Sequence, residues 1–165
     1  MAAGSNKPGE VGGRPQLTRA GFDQLHERVV DIRERRLPEM RPLLIETQRD
    51  ERVVAEFERL IEEAGTLDAL LAQADVIIIS PEAVGSGASL GMRVQVTLED
   101  GVKAWVRPVH PEEAFLDEER ISATSPLALA LMGATVGDTV MVLAPTDEWP
   151  CTVLAIDLKG VAAHS

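Results

Sequence analysis

The 165-residue chain has one cysteine, no tyrosine, three phenylalanines, two tryptophans and three histidines. A lone Cys151 excludes an intramolecular disulfide and any metal site built from several thiolates. His26, His110 and His164 stand at no zinc-binding spacing. The longest apolar run, Leu127 to Met132, is far too short to span a bilayer. No apolar segment follows the start in the manner of a secretory signal. Basic residues are scarce as well: 16 Lys and Arg face 27 Asp and Glu, a formal charge of −11. Such a chain is repelled by bare nucleic acid and by anionic membranes. Membrane association and sequence-specific DNA binding are therefore not expected. What remains is a cytoplasmic protein of one domain or two small ones.

Composition divides the chain in three. Met1 to Pro15 carries four Gly and two Pro without hydrophobic period and reads as a disordered tail. Residues 16–80 are rich in Arg, Glu, Leu and Ala, and residues 81–165 shift to Val, Thr, Gly and Pro. In the middle part Thr18 is a candidate N-cap, followed by Phe22, Leu25, Val29 and Ile32 at helical spacing. After the charged stretch Arg49 to Arg52, a second series begins. Val53, Phe57, Leu60, Ala64, Leu67, Leu71 and Ala74 keep 4-3-4-3-4-3 spacing, the signature of a coiled-coil seam. Two antiparallel helices joined near Gln48 to Arg52 account for both series. Arms of about 25 residues would reach ~35–40 Å at the α-helical rise. Pro38 and Pro42 oppose a regular first helix. Because apolar residues continue at Met40, Leu43 and Leu44, a single kinked arm is expected rather than two separate helices.

The third part alternates with the period of a strand. Met92 to Leu98, Lys103 to Arg107, Val136 to Leu143 and Cys151 to Ile156 are the expected strands, with a hairpin turn at Glu99-Asp100-Gly101. Ser125-Pro126 opens a short helix over Leu127 to Met132, which stops at Gly133. Gly85 to Gly91 resembles a phosphate loop only superficially, since the Lys-Ser/Thr of that motif is absent. It is expected to lead flexibly into the first strand. Cys151, Trp105 and Trp149 read as packing residues, and His110 has no partner evident in the sequence. The fold class is thus α+β, an N-terminal antiparallel helical hairpin followed by a small antiparallel β domain with one short helix.

One stretch carries a resemblance. Ile121-Ser-Ala-Thr-Ser125-Pro126-Leu127-Ala-Leu-Ala130-Leu131-Met132-Gly133-Ala-Thr-Val136-Gly137-Asp138-Thr-Val140 resembles the C-terminal signature of the Gre factors, roughly I-S-x-x-S-P-[IL]-G-x-A-L-[IL]-G-x-x-x-G-D-x-V. It departs from that pattern at Ala128 and Met132. Glu113-Ala114 matches a family dipeptide, and weaker likeness runs through Leu17-Thr18, Leu25, Arg36, Pro38-Glu39 and Ala72 to Ile77.

The resemblance implies an FKBP-like C-terminal domain that docks on bacterial RNA polymerase, with Ser125, Pro126 and Leu127 at the contact. It also implies a coiled coil that enters the secondary channel and carries acidic tip residues to the catalytic magnesium. There they help hold Mg²⁺ and a water while the polymerase hydrolyses the 3′ end of backtracked RNA. A hard cation takes oxygen ligands, and two-metal hydrolysis needs both reacting oxygens stabilised. The chain would be no enzyme by itself, would carry no cofactor of its own, and would meet nascent RNA only indirectly.

The tip is where this sequence leaves the family pattern D-L-x-E-N-A-E-Y. Anchored on Ala55-Glu56-Phe57, Asp50 falls on the family Asp, but Val53 falls on the Glu and Val54 on the Asn. Asp50, as the metal-facing residue within a polymerase complex, and Glu51 are the remaining tip candidates. Glu46 would need a rotated turn to substitute. As ordinary residues of a helix–helix turn, Asp50 and Glu51 equally read as solvated caps. The hairpin is also about one heptad short. Both departures point away from efficient cleavage and toward a regulator that occupies the channel. A Rnk-type relative, docking without reaching the centre, is the alternative if the first helix breaks at Pro38. Arg33, Arg35 and Arg36 form a basic group for RNA or polymerase contact, or else pair with nearby Glu at helical spacing.

Overall fold

The computed structural model describes residues 10–11, 13–45 and 50–163. They form two compact units, one of residues 22–74 and one that joins residues up to 21 to those from 75 onward.

The helical unit contains most of a first arm, which runs without interruption from 19 to 45. This arm consists of α1 (Arg19–Asp31), a π-helical segment (Ile32–Arg36) and α2 (Leu37–Ile45). The arm passes through Pro38 and Pro42 unbroken, so a single arm is found. The π segment gives the reason. Leu37 N–H donates to Ile32 O, five residues back, and this wider turn lies directly before Pro38. It eases the contact a proline ring makes with the carbonyl four residues earlier. It also absorbs the five-residue step from Ile32 to Leu37, so that Leu25, Val29, Ile32 and Leu37 are all buried. The second arm, α3 (Glu51–Gln73), buries Leu60, Ala64, Leu67 and Leu71, as the heptad spacing requires. Val53 and Phe57, at the start of the same stripe, are half-buried.

The other unit begins earlier in sequence than composition suggests. β1 (Glu10–Val11) pairs with β2 (Arg14–Leu17), and β2 lies parallel to β3 (Asp75–Val76). Residues 10–11 and 14–15, read from composition as tail, are therefore part of a ribbon, and Pro15 is buried. The unit boundary at Ala74/Asp75 also precedes the expected one near Ser80, because β3 and β4 (Ile78–Ile79) already belong to the globular part. β4 pairs in parallel with β10 (Ala162–Ala163).

The main sheet has the order β7-β6-β5-β9-β8. It contains β5 (Arg93–Thr97), β6 (Lys103–Val109), β7 (Arg120–Ser122), β8 (Thr139–Ala144) and β9 (Asp147–Asp157). All neighbours are antiparallel except β7, which runs parallel to β6 at the edge. The β5–β6 turn falls at Glu99-Asp100-Gly101, with Gly101 at φ +82° and Asp100 accepting from Val102 N–H. Val94 and Val96 of β5 point into a core shared with Val106, Leu131, Val142, Cys151 and Val153. α4 (Pro126–Leu131) packs against β8. Gly85 to Gly91 is more ordered than expected: Pro81–Ser86 is a 3₁₀ turn, and Ala88 exchanges backbone hydrogen bonds with Gly133 and Ala134 at the end of α4. A Cβ at Gly87 would overlap the Gly133 carbonyl, so this close approach requires glycine.

Candidate functional site

α4 is built by its own sequence. Ser125 Oγ accepts from Ala128 N–H at 3.2 Å, Pro126 fills the first helical position, and Gly133 at φ +81° ends the run. Ala128 and Leu131 are buried, while Leu127 and Ala130 are half-buried against the core. Of the three residues expected at the contact, Pro126 is thus exposed and Ser125 caps the helix, whereas Leu127 packs inward. Leu129 is the leucine that faces out. With Pro126, Ala130 and the outward Met141 and Leu143 of β8, it lines a shallow apolar groove of about 200 Å³. The Gly137-Asp138 pair of the signature has a structural part: Thr135 N–H and Oγ1 both donate to Asp138 Oδ2 at 2.9 and 3.0 Å. Those hydrogen bonds hold the Asp138 carboxyl below its usual range and shape the turn into β8.

In the helical unit, Asp50 is the N-cap of α3. Its Oδ1 accepts from Arg52 N–H at 2.9 Å, with Arg52 Nε 3.7 Å away. Glu51 stands exposed in the first turn, where negative charge suits the helix dipole. Both carboxylates are open to solvent at one end of α3, and Val53 stays on the apolar stripe. Glu46 lies outside the described residues. Among the described residues no group of three His, Cys, Asp or Glu side chains is placed to hold a metal ion.

The three arginines are each matched to a carboxylate of the hairpin itself. Arg33 meets Asp68 at 3.1 Å, and Arg35 meets Asp31 at 2.6 Å with Glu39 at 3.8 Å. Arg36 meets Glu56 at 3.5 Å. Hydrogen bonding from Arg35 lowers the Asp31 carboxyl, and that from Arg59 lowers Glu56.

Other charged groups were not foreseen as a set. Arg93 stacks 4.0 Å over Trp105 and clasps Asp157 at 2.7 Å. The buried Arg107 donates to Gly91 O and Lys159 O. Glu113 is fully buried beside Thr18 and Arg120. His110 Nδ1 accepts from Glu112 N–H, which gives that histidine a local capping role.

The sequence pattern described as "Transcription elongation factor, GreA/GreB, C-term" matches residues 86–158. Transcription elongation factor GreA of Thermotoga neapolitana is 31% identical over 140 residues, covering 79% of this chain and 88% of the relative. The chain belongs to the GreA/GreB family of transcription elongation factors. GreA of Thermotoga maritima is 27% identical over 149 residues, 86% of this chain and 96% of that one. Among solved structures, GreA factor homolog 1 (Gfh1) of Thermus thermophilus is 30% identical, covers 87% of this chain and 98% of its own, and has a TM-score of 0.37. In this Gre-family chain the matched stretch holds the main sheet, α4 and its apolar groove. No helix among the described residues is long and apolar enough to cross a membrane.

Proposed function

We propose that this Gre-family factor binds bacterial RNA polymerase in the cytoplasm, at the secondary channel, and modulates elongation from there. The α4–β8 face carries the proposal. There the family signature coincides with an open apolar groove, and exposed apolar surface of that kind marks protein contacts. In this reading the globular unit is FKBP-like and docks through Ser125, Pro126 and Leu129. The Asp50–Glu51 end of the hairpin approaches the active centre. Asp50 would supply one carboxylate oxygen to Mg²⁺ of the polymerase, whose own residues provide the rest, so the chain has no catalysis of its own.

A second reading is favoured by a particular observation. Asp50 is engaged as a helix cap, and the position of the second family acid is Val53, on the apolar stripe. Such a factor occupies the channel and slows synthesis without stimulating cleavage.

Two measurements test these readings. The chain should be retained by core polymerase, and Leu129→Glu should weaken retention about tenfold, the scale of a central interface residue. Absence of retention overturns the proposal. In a stalled, backtracked complex, cleavage that disappears with Asp50→Ala identifies a competent factor. Slowed elongation without cleavage identifies the channel-occupying regulator.

A further inference from the structure

The main sheet holds its two tryptophans in different company. Trp105 of β6 is covered by the chain itself, since the Arg93 guanidinium lies 4.0 Å over its ring. Asp157 at 2.7 Å and Glu119 at 3.4 Å hold that guanidinium from the side. An indole face with carboxylates at its rim is a complete seat for a planar cation.

Trp149 of β9 stands where the β5–β6 turn and the β8–β9 turn reach the same end of the sheet. With Leu98, Glu99 and Asp100 it lines a shallow groove of about 330 Å³. Trp149 and Leu98 are half-buried against the core, and both acids are exposed. Asp147, the first residue of β9, hydrogen-bonds the Glu99 carboxyl and raises it above its ordinary value. Carboxyl groups therefore crowd at this rim, and among the described residues no Lys or Arg pairs with Glu99, Asp100 or Asp147. The parts of the Trp105 seat recur here without an arginine from the chain itself.

The rim decides what can lie in this groove. Phosphates are repelled by it, and a second copy would bring another acidic rim and a further charge of −11. Small-molecule sites enclose most of their ligand, which a shallow groove does not. We infer that the Trp149 groove is a docking surface for an arginine side chain carried by a segment of a partner protein. The guanidinium stacks on the indole and donates to Glu99 and Asp100. Lysine fits less well, because its compact ammonium neither stacks as a plane nor donates as a fork. Trp149 stands opposite Val142, on the core side of β8, whereas Met141 and Leu143 point to the other face. The groove is thus distinct from the α4–β8 face, and the inference does not rest on the polymerase reading.

The test uses the full chain labelled with ¹⁵N and, as probe, an acetylated and amidated Gly-Ser-Gly-Arg-Gly-Ser-Gly peptide. The two tryptophans give two indole N–H resonances, and Trp149→Phe identifies one of them. The Trp149 resonance should move saturably while that of Trp105 stays in place. A lysine version of the peptide should bind several-fold more weakly, and a citrulline version, neutral in the same shape, should not bind. Glu99→Gln with Asp147→Asn should weaken the arginine peptide about tenfold, the scale of one lost charge-assisted hydrogen bond. Should that pair not fold, Glu99→Gln alone is read in the same way. Glu58→Gln with Glu62→Gln removes equal charge from exposed sites on α3 and should leave the affinity unchanged.

Equal weakening by both pairs, equal affinity for lysine, or movement of both indoles reduces the effect to diffuse attraction by an acidic chain and overturns the inference. Argininamide binding more tightly than the peptide identifies a small-molecule site instead. Movement of the Trp149 resonance with protein concentration alone identifies a second copy as the occupant, and no movement at all removes the docking surface; each of these outcomes overturns the inference.

Discussion

The two units of this protein use charge in opposite ways. The hairpin holds its Arg–carboxylate pairs at the surface: the side chains of Arg33 and Asp68 are each about half exposed, and Arg35 is more so. The globular unit draws Arg107, Arg120 and Glu113 inside, each less than a tenth exposed. Exposed pairs are screened and contribute little, whereas a buried charge that loses its partner is costly. The hairpin is therefore held mainly by its apolar stripe, and its ion pairs can be exchanged cheaply. The globular unit depends on a few polar contacts that permit no substitute.

Gly21→Ala tests that contrast most severely. In an ordinary helix this change is stabilising by up to about 1 kcal/mol, because alanine is the better helix former. Here the added methyl displaces the buried Glu113 carboxylate, which accepts from Thr18 N–H and Oγ1–H. Destabilisation of about 3–5 kcal/mol is expected instead, the scale of a buried ion pair that is broken, read as a lower urea midpoint. A stabilised variant would show that the carboxylate moves aside freely.

The pH dependence of stability should sharpen the same contrast. Burial pushes the Glu113 carboxyl above its ordinary value, against the hydrogen bonds from Thr18 and the Arg120 charge, which act to lower it. Only between those two values does the folded state hold a proton that the unfolded chain has released. Stability accordingly falls as pH rises from the ordinary glutamate value through the raised one. Asp157 behaves in the opposite sense. Hydrogen bonding from Arg93 lowers its carboxyl, so its contribution is present above the ordinary aspartate value and is lost as pH falls below it. Urea midpoints measured against pH should lose the upper slope in Glu113→Gln and the lower one in Asp157→Asn.

The smallest effect belongs to the hairpin. Arg33→Ala should change stability by no more than about 0.5 kcal/mol, since it removes one solvent-exposed pair. A larger loss would mean that the surface pairs carry the hairpin after all.

Much of the helical unit was legible because helices are local objects. A seam from Leu60 to Leu71, a stop–start near Asp50 and a continuing arm past Pro38 all follow from spacing within a few turns. The π segment was not legible, since it answers a conflict between Pro38 and the stripe that is resolved only by packing. In the candidate docking site, the Ser125-Pro126 start and the Gly133 stop could be read directly. The outward-facing leucine could not: which of Leu127 and Leu129 faces out depends on how α4 is turned against β8.

The amino-acid sequence by itself determined the family, the two-part plan and the acids left at the hairpin end. Those rest on residue types at short, fixed spacing. Tertiary structure decided the rest: the ribbon of β1, β2 and β3, the parallel edge strand β7, and the meeting of Glu113 with Thr18 over Gly21. Strands of two or three residues have no period to detect. A cap that arrives from 95 residues away leaves only the missing side chain of a glycine in the place it fills.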